Sequence, residues 1–117
     1  MLIRRISAAL LVTAALSGAA FAQTSASSSP TPHIITIKNF AFDPADLTVN
    51  VGDTIEWKNT DVYTHTATTT KDASNSAQFD SGNIRKDGTY RYVVKAKGTY
   101  NYYCTYHPNM KAKLEVK

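Results

Sequence analysis

The sequence predicts an all-β protein, a β-sandwich of seven to eight short strands, and three observations predict it. From His33 onward apolar residues recur at every second position, the period of a half-buried strand. Gly52-Asp53, Asp87-Gly88 and Lys97-Gly98 punctuate the chain as turns, and no segment carries the spacing of an amphipathic helix. Short strands bounded in this way bury their apolar faces by packing as two sheets.

In chain order, residues 1–22 read as a secretory signal, with Arg4 and Arg5 as a basic start, an apolar run from Ile6 to Leu16 and Ala20-Phe21-Ala22 as a small-x-small cleavage site. The run is shorter than the roughly 20 residues of a membrane span, so cleavage, a periplasmic or otherwise exported location and no stable membrane insertion afterwards are expected. Residues 23–32 are rich in Ser, Thr and Ala, with Pro30 and Pro32, and read as a flexible tether. Residues 33–117 form the folded domain, large enough for one two-layer core. Its expected strands are Ile34 to Asn39, Leu47 to Val51, Thr54 to Asn59, His65 to Thr70, a short one near Phe79, Thr89 to Val94, Thr99 to Cys104 and Lys111 to Val116. Residues two apart share a face, so Ile55 with Trp57, Tyr90 with Tyr92 and Val94, Tyr100 with Tyr102 and Cys104, and Ala112 with Leu114 and Val116 are the candidate core.

Charge and cysteine content narrow the function. The formal charge of +4 falls to +2 when Arg4 and Arg5 leave with the signal, and no basic cluster interleaved with aromatics or nucleic-acid motif is present. With one cysteine, a disulfide framework is excluded, although export implies an oxidising compartment. An unpaired thiol there is an oxidation hazard unless it is buried or engaged.

That cysteine opens the most informative stretch, Cys104-Thr105-Tyr106-His107-Pro108-Asn109-Met110, which places thiolate, imidazole and thioether at a Cys-x2-His-x2-Met spacing. His65 supplies a second imidazole upstream, and two His, one Cys and a weak axial Met are the donors of a blue-copper centre. Zinc gains little from a thioether, and calcium or magnesium prefers oxygen ligands, so one copper ion per chain is expected. The plainer alternative is a buried Cys, a surface His and a core-filling Met brought together by chance. His33 has no partner at metal spacing and reads as a surface residue.

Tyr100 to Met110 with Lys111 to Val116 resembles the ligand loop and last strand of the cupredoxins, the type 1 blue copper proteins. Phe42-Asp43-Pro44, Leu47-Thr48-Val49, Val51 to Asn59 and Phe79-Asp80-Ser81-Gly82 extend the resemblance over essentially the whole domain. The two-residue gaps on either side of His107 are similar to the amicyanin branch rather than to plastocyanin. The resemblance implies a Greek-key sandwich, His65, Cys104 and His107 in a trigonal plane with Met110 axial, and single-electron transport without enzymatic activity. It also implies a monomer that meets donor and acceptor redox proteins near His107, at a surface including Tyr106, Pro108 and Asn109. Two departures stand out: Tyr106 replaces a Pro, which restores an N–H that either donates to the thiolate or faces solvent, and Thr66 replaces an Asn, which shortens a brace across the site. A periplasmic copper carrier or store is the main alternative function, ahead of a copper enzyme, which needs further ligands, and a metal-free binding module.

Overall fold

The computed structural model describes residues 31–71 and 77–117, together with Ala15, Gly18 and Ala19. The signal expected over residues 1–22 and the tether over residues 23–32 lie almost wholly outside the described residues. The domain is built from β1 (His33–Lys38), β2 (Ala41–Asp43), β3 (Asp46–Val49), β4 (Thr54–Asn59), β5 (Thr68–Thr69), β6 (Thr89–Val93), β7 (Gly98–Cys104) and β8 (His107–Val116). One sheet runs β2-β1-β4-β6 and the other β3-β8-β7-β5. The pairs β1/β4 and β3/β8 are parallel, with His33 opposite Ile55 and Asp46 opposite Lys113, and all other pairs are antiparallel.

The alternation read from the sequence is what closes the core. Ile35, Ile37, Ile55 and Trp57 face inward from the first sheet and meet Tyr100, Tyr102, Cys104, Leu114 and Val116 of the second, all of them buried. Each large apolar side chain removed from water in this way contributes about 1.5–3 kcal/mol. Rings fix the sheets against each other: Tyr102 stands edge-on to Phe42 at 4.8 Å and to Trp57 at 5.6 Å. Tyr90 and Tyr92 are only half-buried, because β6 is the edge of its sheet.

The strands depart from expectation in four places. Ala41–Asp43 forms β2, which alternation does not announce because Phe42 is its single buried residue. The strand expected from His65 to Thr70 shrinks to Thr68–Thr69 plus an isolated bridge between His65 and Ile84, since His65, Thr66 and Ala67 are buried in succession and break the period of two. Phe79 is likewise flanked only by a bridge between Thr68 and Asp80. The last strand starts at His107 rather than Lys111, so residues read as loop belong to the sheet. After β3 the chain turns at Asn50, whose N–H donates to Asp53 Oδ2 at 2.9 Å, with Gly52 at a φ of 93° that side chains rarely adopt.

Candidate metal centre

The β7–β8 hairpin presents three of the four expected donors. Cys104 ends β7, His107 begins β8, and the two are register partners across the Thr105-Tyr106 turn, with a shift in pairing at Tyr103/Cys104. Packing in the sheet leaves Cys104 with no exposed surface, so its sulfur is aimed by the fold rather than by the loop. Pro108 removes an N–H and restricts His107 to extended backbone, which suits the start of a strand. Met110 follows on β8 and is buried.

His65 arrives from the opposite direction. Its backbone is fixed by two hydrogen bonds with Ile84, N–H to O at 3.1 Å and O from N–H at 2.8 Å. Asn59, the next inward position of β4 after Ile55 and Trp57, anchors the loop that leads to it. Its amide donates to the carbonyls of Tyr63 at 2.7 Å and Ile84 at 2.9 Å, and its Oδ1 accepts the Asp61 N–H at 2.9 Å. The His65 ring is fully buried and its Nε2 lies 2.9 Å from Asp61 Oδ2. A carboxylate only accepts, so Nε2 carries the proton and the Nδ1 lone pair is left for the site. Burial works to raise the Asp61 carboxyl, but the N–H groups of Phe40 and Asn39 and the His65 ring outweigh it and hold the group below its ordinary value.

Three donor atoms thus converge. His65, Cys104 and His107 offer ligand atoms that all lie within 4.8 Å of one another. Cys104 Sγ stands 3.7 Å from His65 Nδ1 and 3.6 Å from His107 Nδ1. A metal about 2.3 Å from a thiolate and about 2.0–2.1 Å from imidazole nitrogens sets S···N edges of roughly 3.6–3.8 Å, depending on whether the angle is tetrahedral or trigonal. The residues fit such an ion. Among the described residues no other set of His, Cys, Asp or Glu comes together in this way. His33 lies outside it and pairs its Nε2 with Asp53 Oδ2 at 3.1 Å.

The two departures resolve differently. The Thr66 N–H donates to Cys104 Sγ at 3.3 Å. The Thr66 hydroxyl also keeps a brace across the site, accepting the Thr105 N–H at 2.9 Å and meeting the Thr105 hydroxyl at 3.2 Å. Tyr106 makes no hydrogen bond to the sulfur; its hydroxyl donates to Asn83 Oδ1 and its half-exposed ring enlarges the surface. Sequence reasoning passed over Asn59, Asp61 and Phe40. For Asn59 a signal existed, a polar residue on the inward face of β4; for Phe40 and Asp61 none did, because their contact is made by a loop crossing.

Comparison with known proteins agrees with this geometry. Residues 32–117 match the family described as copper binding proteins, plastocyanin/azurin family. The chain belongs to that family, a class of copper proteins whose fold is the sandwich described above. Among curated relatives it is similar to amicyanin of Paracoccus denitrificans, 29% identical over 84 residues that make up 72% of this chain and 64% of the relative. Amicyanin-alpha of Methylorubrum extorquens is 31% identical over 83 residues, 71% of this chain and 70% of the relative. The chain therefore spans somewhat under two thirds of the Paracoccus protein it matches. Among solved structures, the Cu(I) form of an amicyanin variant superposes with a TM-score of 0.69 at 27% identity, covering 79% of this chain and 88% of the other. A copper-containing nitrite reductase from Thermus scotoductus gives 0.71 at 27% identity, but the match covers 75% of this chain and only 23% of that one.

Proposed function

We propose that this chain is an exported type 1 copper protein that carries single electrons between redox proteins, with one ion held by His65, Cys104, His107 and Met110. The observation that carries the reading is the convergence of a buried thiolate with two imidazole nitrogens at metal-edge distances. Met110, buried on the same hairpin, adds the soft thioether that favours copper over zinc. When bound, copper supplies a one-electron Cu(II)/Cu(I) couple.

The chain's own part is to hold the donors still. Cys104 is fixed by its sheet and by the Thr66 N–H, His65 by Ile84 and Asp61, and the loop between Cys104 and His107 by the Thr66 hydroxyl. Donors so restrained rearrange little when the charge at the site changes. The same burial argues against a carrier or store, which must open its ligands to a recipient: His65 and Cys104 have no exposed surface. The family match and the amicyanin relatives support reading it as an electron carrier.

Partner proteins dock at the end where His107 is partly exposed. Phe40, Tyr63 and Tyr106 are each about half exposed there, and Val62, next to Tyr63 in the chain, is 71% exposed. A small apolar contact of this kind favours rapid exchange of a monomeric carrier between partners. Export is supported by the signal-like residues 1–22, with residues 23–32 as tether and residues 33–117 as the working domain. No helix of the described residues is long and apolar enough to cross a membrane.

The test is optical. The copper-loaded protein is expected to show intense visible Cu(II)–thiolate absorption that bleaches on reduction and returns on oxidation, and Cys104→Ser is expected to abolish it. A serine variant that keeps the band, or a wild-type protein that binds copper without one, overturns the reading.

A further inference from the structure

Asp61, outside the donor set, joins His65 to the turn that carries Phe40. Its Oδ1 accepts the Asn39 N–H at 2.8 Å, and its Oδ2 accepts both the Phe40 N–H at 3.0 Å and the His65 Nε2–H at 2.9 Å. Asn39 and Phe40 are the two-residue turn between β1 and β2, with Lys38 opposite Ala41. Both adopt left-handed backbone, at φ values of 51° and 58°. Asn tolerates that region, and a tight hairpin turn usually places Gly second, but Phe is disfavoured there. The unfavourable conformation aims the Phe40 ring at the site, edge-on to His107 at 4.9 Å and to His65 at 5.5 Å. A backbone held in an uncommon region next to a functional centre is a reason to ask what holds it and what it positions.

We propose that Asp61 is a positioning residue that sets two things with one carboxylate: the tautomer and ring orientation of His65, and the placement of Phe40 as a lid across both imidazoles. The inference rests on the reading of His65 and His107 as metal ligands. Its geometry is independent of that reading, since all the hydrogen bonds run between groups of the chain itself. The Asp61 side chain is only 12% exposed and His65 is fully buried, so its charge is felt at the site with little screening. A carboxylate on the far nitrogen makes the imidazole a stronger donor and sets a negative charge beside the ion, and both favour Cu(II) over Cu(I).

The experiment compares wild type with Asp61→Asn, Asp61→Ala and Phe40→Ala. In the apo protein, long-range proton–nitrogen NMR of the imidazoles is expected to show His65 as the Nε2–H tautomer, and amide exchange to show Asn39 and Phe40 protected. Asp61→Ala is expected to mix the His65 tautomers and to speed exchange at both amides at least about tenfold. In the copper-loaded protein it is expected to weaken Cu(II) binding about 10–100-fold and Cu(I) binding less. Each tenfold difference between the two raises the potential by about 59 mV. Asp61→Asn has a single acceptor atom and cannot serve Asn39 on one side and Phe40 with His65 on the other, so it is expected to fall between wild type and Ala. It carries the test should Ala fail to fold. Phe40→Ala is expected to leave the His65 tautomer unchanged while altering the His107 ring signals, which separates lid from tautomer. Unchanged tautomer and amide protection in the Asp61 variants overturn the proposal, as does an unchanged potential. A missing visible band in the wild type overturns the copper reading instead and leaves the apo measurements to decide the role of Asp61.

Discussion

Replacing Thr66 by Val tests whether the donor loop is held by the hydroxyl group that joins it to the sandwich. Thr66 is 4% exposed, and Val fills nearly the same volume, so packing is preserved while one oxygen is lost. That oxygen accepts the Thr105 N–H at 2.9 Å, meets the Thr105 hydroxyl at 3.2 Å and lies 3.0 Å from the Thr68 hydroxyl. Thr68 retains Asp80 as an acceptor at 3.1 Å, and the Thr105 hydroxyl can turn to water because Thr105 is exposed. The net loss is one backbone hydrogen bond in a half-buried setting, about 1–2 kcal/mol. For a domain of this size that lowers Tm by about 4–8 °C per kcal/mol. The measurement is thermal and urea unfolding of the apo protein, since a bound ion would add its own stabilisation. The backbone N–H of residue 66 still reaches Cys104 in the variant, so the visible band of the loaded form is expected to persist. Thr66→Ser keeps the oxygen and should recover most of the lost stability. A Val variant that melts within roughly 2 °C of wild type, or a Ser variant as unstable as Val, refutes the brace.

Tyr102→Phe is expected to be neutral or to stabilise by up to about 1 kcal/mol, because the Tyr102 hydroxyl and the Trp57 Nε1 are buried without hydrogen-bond partners. Burial raises the Tyr102 phenol well above its ordinary range; the Trp57 indole N–H opposes that rise, close by but outside hydrogen-bonding geometry. Urea midpoints decide it, and a loss above about 1 kcal/mol would show that the hydroxyl is satisfied after all. Asp53→Asn tests the acid limb of the stability curve. The Asn50 N–H first, and then His33, hold the Asp53 carboxyl below its ordinary value, so its contribution is present above about pH 4 and is lost as pH falls through the lowered value. The Asn variant should therefore lie below wild type at pH 7 and converge with it in strong acid, and parallel Tm curves down to about pH 2 would rule this out.

Much of the sandwich was legible because period-two burial is a local property. Ile55 with Trp57, Tyr100 with Tyr102 and Cys104, and Leu114 with Val116 face the core as alternation requires. Three of the expected donors were also legible, since Cys104, His107 and Met110 sit within one short stretch. What escaped notice was made by crossings. The bridge of His65 to Ile84 replaces a strand with a bend, and nothing near Phe40 announces that a loop twenty-one residues on will fix its backbone. The Thr66 brace is not legible in the sequence because Thr66 alone is short, whereas in the fold Thr105 comes to meet it.

The hairpin that joins β7 to β8 also has a consequence for how the protein is born. Cys104, His107 and Met110 lie within seven residues of one another, so a chain not yet folded already offers a multidentate grip to a soft metal. His65 is separated from Cys104 by 39 positions and comes beside it through long-range contacts, the bridge to Ile84 and the pairing of β5 with β7. Affinity of the open chain for the ion subtracts from the stabilisation that loading gives the folded form. The gap in melting temperature between loaded and empty protein therefore understates how tightly the finished site holds its ion. On the copper reading proposed above, Cys104, His107 and Met110 can hold the ion in a chain that has not yet folded, whereas His65 can join them only once long-range contacts have formed.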